Sequence, residues 1–342
     1  MLVLGIESSC DDTAAAVVKD GNEVLSTVVA SQDSLHARWG GIVPELASRR
    51  HIEVIIPVVE EALERAGVGV DEIDAYGATR GPGLVGSILI GLTFAKAVSY
   101  ARGKPFVGVN HIEAHQLAAF LREKGEEKET PAFPFVSLVV SGGHTALFLV
   151  EGFTRFTVLG QTRDDAAGEA FDKVAKLLGL GYPGGVEIDR LSREGDPRRV
   201  NFTRPYLERG SLEFSFSGLK TAVLNHVRGL DTAADHGLSP AAVRDVAASF
   251  QEAVVDVLIE KAMRAVASTG VGSLVLAGGV ACNSRLRERL GDAAPKGGIK
   301  LFIPPAHFCT DNGATVAACA YHSLKKGFSD GLSTDAIASW KE

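Results

Sequence analysis

The residue types best suited to chemistry gather in Val107–Glu123, VGVNHIEAHQLAAFLRE. The pattern predicts a short buried strand over Phe106–Val109 and Asn110 as a helix cap. His111, Ile112, Glu113, Ala114 and His115 then open an amphipathic helix that continues through Leu117, Ala118 and Leu121. At 3.6 residues per turn, His111 and His115 stand about 40° apart around the axis and one turn apart along it. Two imidazoles so placed can share one metal ion. The alternative is a pair of surface histidines. Their place just past a strand's carboxyl end, where α/β folds bind ligands, favours the metal.

A zinc peptidase helix reads H-E-x-x-H, with its glutamate next to the first histidine. Glu113 comes two residues after His111 and projects roughly 200° away around the helix, so it suits a capping role better than a catalytic one. A third ligand is available in Thr310–Asp311–Asn312–Gly313, where the last helix begins. Asp311 would complete a His₂Asp set with open positions for substrate; the competing reading makes Asp311 that helix's N-cap.

Several turns expose backbone N–H groups or carboxylates. Ser141–Gly142–Gly143–His144–Thr145 suits a phosphate or is a plain hairpin. Asp11, in the corresponding turn of the first half, either orients a metal, water or attacking nitrogen, or bonds its own backbone. Gly278–Gly279–Val280–Ala281–Cys282–Asn283 could pack on a purine or ribose, and Gly184–Gly185 followed by Asp189 could hold ribose hydroxyls. Gly81-Pro82-Gly83-Leu84-Val85-Gly86 matches G-x-G-x-x-G but lacks the ribose-binding acid about 20 residues on, which makes it a structural turn. There is no G-x-x-x-x-G-K-[ST] loop.

The elements that must position these residues alternate. Strands are expected at Leu2–Glu7, Thr13–Val18, Glu23–Ala30 and Asp74–Thr79, with helices over Pro44–Ala66 and Leu84–Tyr100. The polar run Glu123–Thr130 separates this half from a second that reopens the same way, with a strand at Phe135–Val140, a polar turn, and a strand at Thr145–Val150. Thr13–Ala14 corresponds to Thr145–Ala146, an internal repeat. The second half continues through helices to Ser273–Ala277, Lys300–Ile303 and a small-residue helix over Gly313–Leu324. The expected lobes are 1–130 and 131–342, the last helix free to pack back on the first lobe. Two similar α/β lobes with facing turns and a central cleft make the actin-like ATPase arrangement.

With 342 residues and 46% hydrophobic content, the chain can fill two full cores. It opens on a strand with no leader, has no apolar run of membrane-spanning length, and places its four cysteines without a C-x-x-C. A reduced, cytoplasmic protein with no membrane partner is expected. The net charge of −7 gives nucleic-acid binding no bulk support. Basic residues do cluster locally, at Arg49–Arg50–His51, Arg198–Arg199, Arg204 with Arg209, and Arg285–Arg287–Arg289, as they also do on ordinary solvated surfaces.

Nine stretches together resemble one family: GIESSCDDTAAAVV, GIVPELASRRH, RGPGLVGSILIG, NHIEAH, VSGGHT, FDKVAKLLGLGYPGG, FSFSGLKTAV, LAGGVACNSRLR and CTDNGA. The chain is similar nearly throughout to the TsaD family of tRNA adenosine threonylcarbamoyltransferases, bacterial branch, once described as O-sialoglycoprotein endopeptidases. The resemblance implies an actin-like fold and transfer of a threonylcarbamoyl group from threonylcarbamoyl-adenylate to N6 of adenosine 37, in tRNAs reading codons that begin with A. It implies His111, His115 and Asp311 as ligands of one divalent metal, iron(II) ahead of zinc. It implies adenylate contacts at Val140, Ser141, Gly142, Gly143, His144, Asp172, Gly185, Asp189 and Asn283. It also implies two helpers, an inactive paralogue (TsaB) and an ATPase (TsaE). An acyl-adenylate is already activated, so no covalent nucleophile is needed, and Asp11 is assigned to the acceptor amine. The rivals are a metallopeptidase, an actin-like kinase and a non-enzymatic scaffold.

Overall fold

The computed structural model describes residues 1–206, 208, 210–231 and 238–340. Arg209 of the expected Arg204–Arg209 cluster lies outside them, while Arg204 pairs with Asp256 at 2.8 Å. The first stretch of chain forms strands β1 (Leu2–Glu7), β2 (Thr13–Lys19) and β3 (Glu23–Ala30), then helices α1 (Asp33–His36) and α2 (Pro44–Ala66). Strand β4 (Ala75–Gly81), helix α3 (Val85–Arg102), strand β5 (Phe106–Asn110), helix α4 (His111–Gln116) and the short β6 (Arg122–Glu123) follow. The second stretch runs β7 (Phe135–Val140), β8 (Thr145–Gly152), β9 (Arg155–Gln161), α5 (Ala167–Leu177), α6 (Gly184–Ser192), α7 (Ser217–Asp231) and α8 (Pro240–Thr269). It continues with β10 (Ser273–Ala277), α9 (Ser284–Lys296) and β11 (Lys300–Phe302). The chain then forms α10 (Ala306–Cys309) and α11 (Gly313–Lys325).

These elements fall into two compact units. One comprises Met1–Pro131, Gly152–Arg155 and Pro304–Glu342; the other comprises Ala132–Glu151 and Phe156–Ile303. The second lobe is therefore not the continuous 131–342. Everything from Pro304 on, α10 as well as α11, returns to the first unit. Its sheet is ordered β5-β4-β1-β2-β3-β6 and that of the second unit β11-β10-β7-β8-β9. In both, the opening strand pairs antiparallel with the next (Glu7 opposite Ala14, Val139 opposite Ala146) and parallel with a later strand on its other side. The repeated Thr-Ala of the sequence thus occupies the same register in each sheet, and the fold is α/β of the actin-like class.

The helix bounds follow their punctuation. Pro44 starts α2 where no N–H is needed, and Gly67 ends it at φ 70°. Ser239 caps α8 through Ala242 N, with Pro240 at its first turn. The histidine helix is shorter than its apolar pattern suggests. It stops at Gln116, and Ala118–Phe120 tighten into a 3₁₀ turn. Leu117 to Leu121 are all buried, so the segment wants burial on every side rather than one helical face.

Helix α11 is a rod of small residues, with Ala314, Ala317, Ala318 and Ala320 fully buried or nearly so against β1, β2 and β4. Its far end carries His322, whose ring stacks on Phe153 with centroids 3.5 Å apart and planes 5° off parallel. Lys326 donates to Thr154 beside it. Burial, aided by the Lys326 charge, holds the His322 imidazole down at about 4. The fold therefore prefers the neutral ring, and that stability is present above the ordinary value of 6.5 and lost as pH falls towards 4. Denaturant unfolding should show about 2 kcal/mol of this loss between pH 7 and 4, and His322→Phe, which keeps the stack, should lack it. Equal pH dependence in the two proteins would refute the assignment.

Candidate functional site

Asn110 caps α4 by accepting from Ile112 N at 2.8 Å and Glu113 N at 3.3 Å, which fixes the first turn against the end of β5. His111 and His115 then project on one face, with ring centroids 4.6 Å apart. On α11, the N-cap is Asn312, whose Oδ1 accepts Thr315 N at 2.9 Å. Asp311 is thus not the cap, and its Oδ1 lies 3.3 Å from His115 Nε2 and 3.7 Å from His111 Nε2. One ligand atom from each of the three falls within 4.8 Å of the others. His115 is 2% exposed, and neither of its ring nitrogens makes a hydrogen bond. Buried imidazole nitrogens without a hydrogen bond are costly, and a cation among the three donors would satisfy Nε2, the one that faces Asp311. The residues fit a divalent metal, all three within the first unit.

Glu7, at the end of β1 and 1% exposed, sits behind His111 and was missed in the sequence. Its Oε2 is 2.9 Å from His111 Nδ1 and accepts Thr79 Oγ1–H at 2.6 Å, while Oε1 accepts Ser9 N at 2.5 Å. Burial alone would push the Glu7 carboxyl up, but the His111 imidazole beside it outweighs this and holds it below its usual range. Burial likewise disfavours charge on His111, yet the carboxylates of Glu7 and Asp311 bring it to about 9. Carboxylate–histidine pairs of this kind fix the tautomer so that the other ring nitrogen faces the metal. The available signal was a lone acid ending a strand that is otherwise apolar, which must be paired if buried. Glu7→Gln, which keeps an acceptor, should weaken metal affinity about tenfold, and Glu7→Ala more, in chelator competition. Unchanged affinity in both would remove Glu7 from the centre.

The turn carrying Asp11 is clamped from α2. Fully buried His51 has its Nδ1 2.7 Å from Thr13 Oγ1 and its Nε2 3.1 Å from the Cys10 carbonyl, so one residue grips both sides of the turn. Burial and the charge of Asp311 raise the Asp11 carboxyl, and the same causes with Asp11 itself bring Asp12 to about 8. The G-x-G-x-x-G stretch is packing. A Cβ on Gly83 would meet Ser9 O at 2.4 Å, and Leu84 N donates to that same carbonyl.

The second unit contains a cavity of about 470 Å³ with a largely apolar lining. Of the proposed adenylate contacts, Gly142, Asp172, Gly185, Asp189 and Asn283 line it, whereas Val140, Ser141, Gly143 and His144 do not. Ser141 and His144 close the hairpin on each other instead, Ser141 N donating to His144 O at 2.7 Å. Asp172 Oδ1 accepts Gly184 N at 2.8 Å and so fixes the start of α6. Asp189 is anchored by Ser284, through N and Oγ, and pairs with Arg193. Asn283 caps α9 through Leu286 N and donates to Gln251 Oε1 at 2.7 Å. Val280 and Cys282, from the Gly278–Asn283 motif, add apolar wall, and so do Phe171 and Val186, which were not singled out in the sequence.

A family model described as TsaD, tRNA N6-adenosine threonylcarbamoyltransferase, matches residues 23–318. A protein of that name from Geobacter metallireducens is 56% identical over 340 residues, covering 99% of this chain and 97% of its own. Another of that name, from Syntrophus aciditrophicus, is 54% identical over 343 residues, covering 99% and 97%. Among solved structures, component A of the (R)-2-hydroxyglutaryl-CoA dehydratase of Acidaminococcus fermentans aligns at TM-score 0.57 and 17% identity, over 95% of this chain and 99% of that one. Full-length HypF aligns at TM-score 0.60 and 14% identity, over 95% of this chain and 46% of its own. These two likenesses speak for the fold alone. The sequence relatives cover the whole chain, and the chain belongs to the TsaD family of tRNA N6-adenosine threonylcarbamoyltransferases.

Proposed function

We propose that this chain transfers a threonylcarbamoyl group from threonylcarbamoyl-adenylate to N6 of adenosine 37, in tRNAs reading codons that begin with A, releasing AMP. The observation that carries the reading is the convergence of His111, His115 and Asp311 around one point, beside the carboxylate of Glu7. That donor set suits iron(II) or zinc, and we favour iron(II). The ion, when bound, supplies Lewis acidity and neutralises charge on a leaving phosphate.

The chain's own residues do the rest. The second unit's cavity takes the nucleotide, its apolar wall against the base, and the anchored carboxylate of Asp189 accepts from ribose hydroxyls. Asp172, by holding the start of α6, keeps Gly184–Gly185 in place for close backbone approach. The remaining hairpin residues, Val140, Ser141, Gly143 and His144, shape the approach to the phosphate without lining the cavity. In the transfer, N6 of adenosine attacks the carbamoyl carbon, the N–C bond forms and the C–O bond to phosphate breaks, with AMP leaving on the electron pair. Asp11, on the turn gripped by His51, orients the amine and takes its proton.

The finer parts of the proposal concern setting and helpers. No helix among the described residues is long and apolar enough to cross a membrane, which is compatible with the cytoplasm as the site of action. Ile52 and Ile56 on α2 and Val85 and Leu89 on α3 are exposed apolar residues on two packed helices, a face that suits a TsaB-like paralogue. A TsaE-like ATPase is included on the family resemblance alone. Incubating the purified chain and its helpers with threonylcarbamoyl-adenylate and unmodified tRNA tests the whole reading. Digested RNA should contain threonylcarbamoyladenosine, and release of γ-phosphate from ATP or cleavage of a glycoprotein by this chain instead would replace it.

A further inference from the structure

The fold adds a third arginine to the Arg49–Arg50 pair on α2. Arg38 belongs to the 3₁₀ turn Ala37–Trp39 that follows α1, and together with Arg49 and Arg50 it lines a groove of about 490 Å³. Arg50 is bonded to Glu53 at 2.8 Å, whereas Arg38 and Arg49 have no carboxylate within ion-pair distance among the described residues. Three guanidinium groups against one groove carboxylate leave a local positive surplus on a chain whose net charge is −7. Trp39, next to Arg38, is 63% exposed, one of the largest exposed apolar side chains. On α2 the residue after Arg50 is His51, whose Nε2 reaches the Cys10 carbonyl at 3.1 Å, one residue before Asp11.

We infer that this groove docks the substrate RNA, its arginines on backbone phosphates and Trp39 under an unstacked base next to the acceptor adenosine. Guanidinium groups bind phosphate bidentately, and an exposed indole offers a stacking platform to any base. A bilayer surface would call for a larger basic cluster than three. The local surplus also resolves the conflict between an acidic chain and an RNA substrate, since phosphate contacts need only local charge.

This inference rests on the transferase reading, and the test separates the two. Binding of an unmodified tRNA transcript is measured against KCl concentration for the full chain, alone and with its paralogue, and for Arg38→Glu/Arg49→Glu, Arg38→Lys/Arg49→Lys and Trp39→Ala. Charge reversal should weaken binding at least about tenfold and lower the log–log salt slope by about two, because each phosphate contact contributes about 0.9. The lysine pair should keep the slope and show that the turn still folds. Trp39→Ala should weaken binding about fivefold with the slope unchanged. Calorimetric binding of the adenylate should be the same in all four proteins. Unaltered tRNA affinity and slope after charge reversal would overturn the inference, as would a loss confined to association with the paralogue. If the wild-type chain binds tRNA through this groove yet never forms threonylcarbamoyladenosine, the transferase reading fails and the docking surface stands.

Discussion

Replacing His115 with alanine should give a folded protein that has lost its metal and transfers threonylcarbamoyl at least about 100-fold more slowly, with adenylate, tRNA and helpers supplied. The reasoning starts from burial. His115 is 2% exposed and makes no hydrogen bond through either ring nitrogen, so hydrogen bonding gives the protein no use for an imidazole there. Its Nε2 lies 3.3 Å from Asp311, and with His111 it supplies two of the three donors. Losing one first ligand exceeds the 10–100-fold penalty typical of losing an outer partner. A purely structural histidine predicts the reverse pattern, lower melting temperature with metal content intact. Metal analysis and thermal melting on one preparation therefore decide between them. Retention of one metal per chain by the His115→Ala protein would refute the ligand set outright.

Much of this centre was legible in the sequence, for a physical reason. Two histidines four residues apart announce a shared face whenever the segment is helical, and the Asn110 cap makes the first turn helical even though α4 ends after six residues. The repeat was legible because each half reopens with strand, polar turn and Thr-Ala, and register follows from that order. Asp311 was ambiguous because an aspartate and an asparagine stood together before a helix, and either can cap. Only the bond from Thr315 N to Asn312 shows which one does. Glu7 was hidden for a different reason. It stands where a strand meets a polar turn, and sequence has no means of telling a turn acid from one buried against an imidazole 104 positions away. The return of the chain from Pro304 to the first unit was equally beyond local patterning, since α11 is too uniformly small to name its partner.

That uniform smallness leads to the second large effect. Gly5→Ala should destabilise the protein by about 3 kcal/mol, at the upper end for an overpacked core site, and should loosen the metal as well. A Cβ on Gly5 would stand 2.1 Å from Gly313 O and 2.4 Å from Ala317 N, both backbone atoms of α11. No side-chain rotation can relieve that. Because β1 lies inside the sheet between β4 and β2, the element free to yield is α11. A glycine at 313 meets the same constraint from the other side, its Cβ position 2.5 Å from Gly5 O. Asp311 sits two residues before α11, so a helix pushed outward carries its carboxylate away from His111 and His115, and shifts near 1 Å suffice to cost about 100-fold in a positioned site. The control is the same chemical change where nothing is in the way. Gly291, in the middle of α9, has no atom within 4 Å of its Cβ position, so Gly291→Ala should stabilise by about 0.5–1 kcal/mol through helix propensity. Urea unfolding and metal content measured on both variants should therefore move in opposite directions for stability and together only if Gly5 is not the contact that seats α11. A Gly5→Ala protein that unfolds at the wild-type urea concentration and keeps its metal would show that α11 approaches β1 less closely than these distances say.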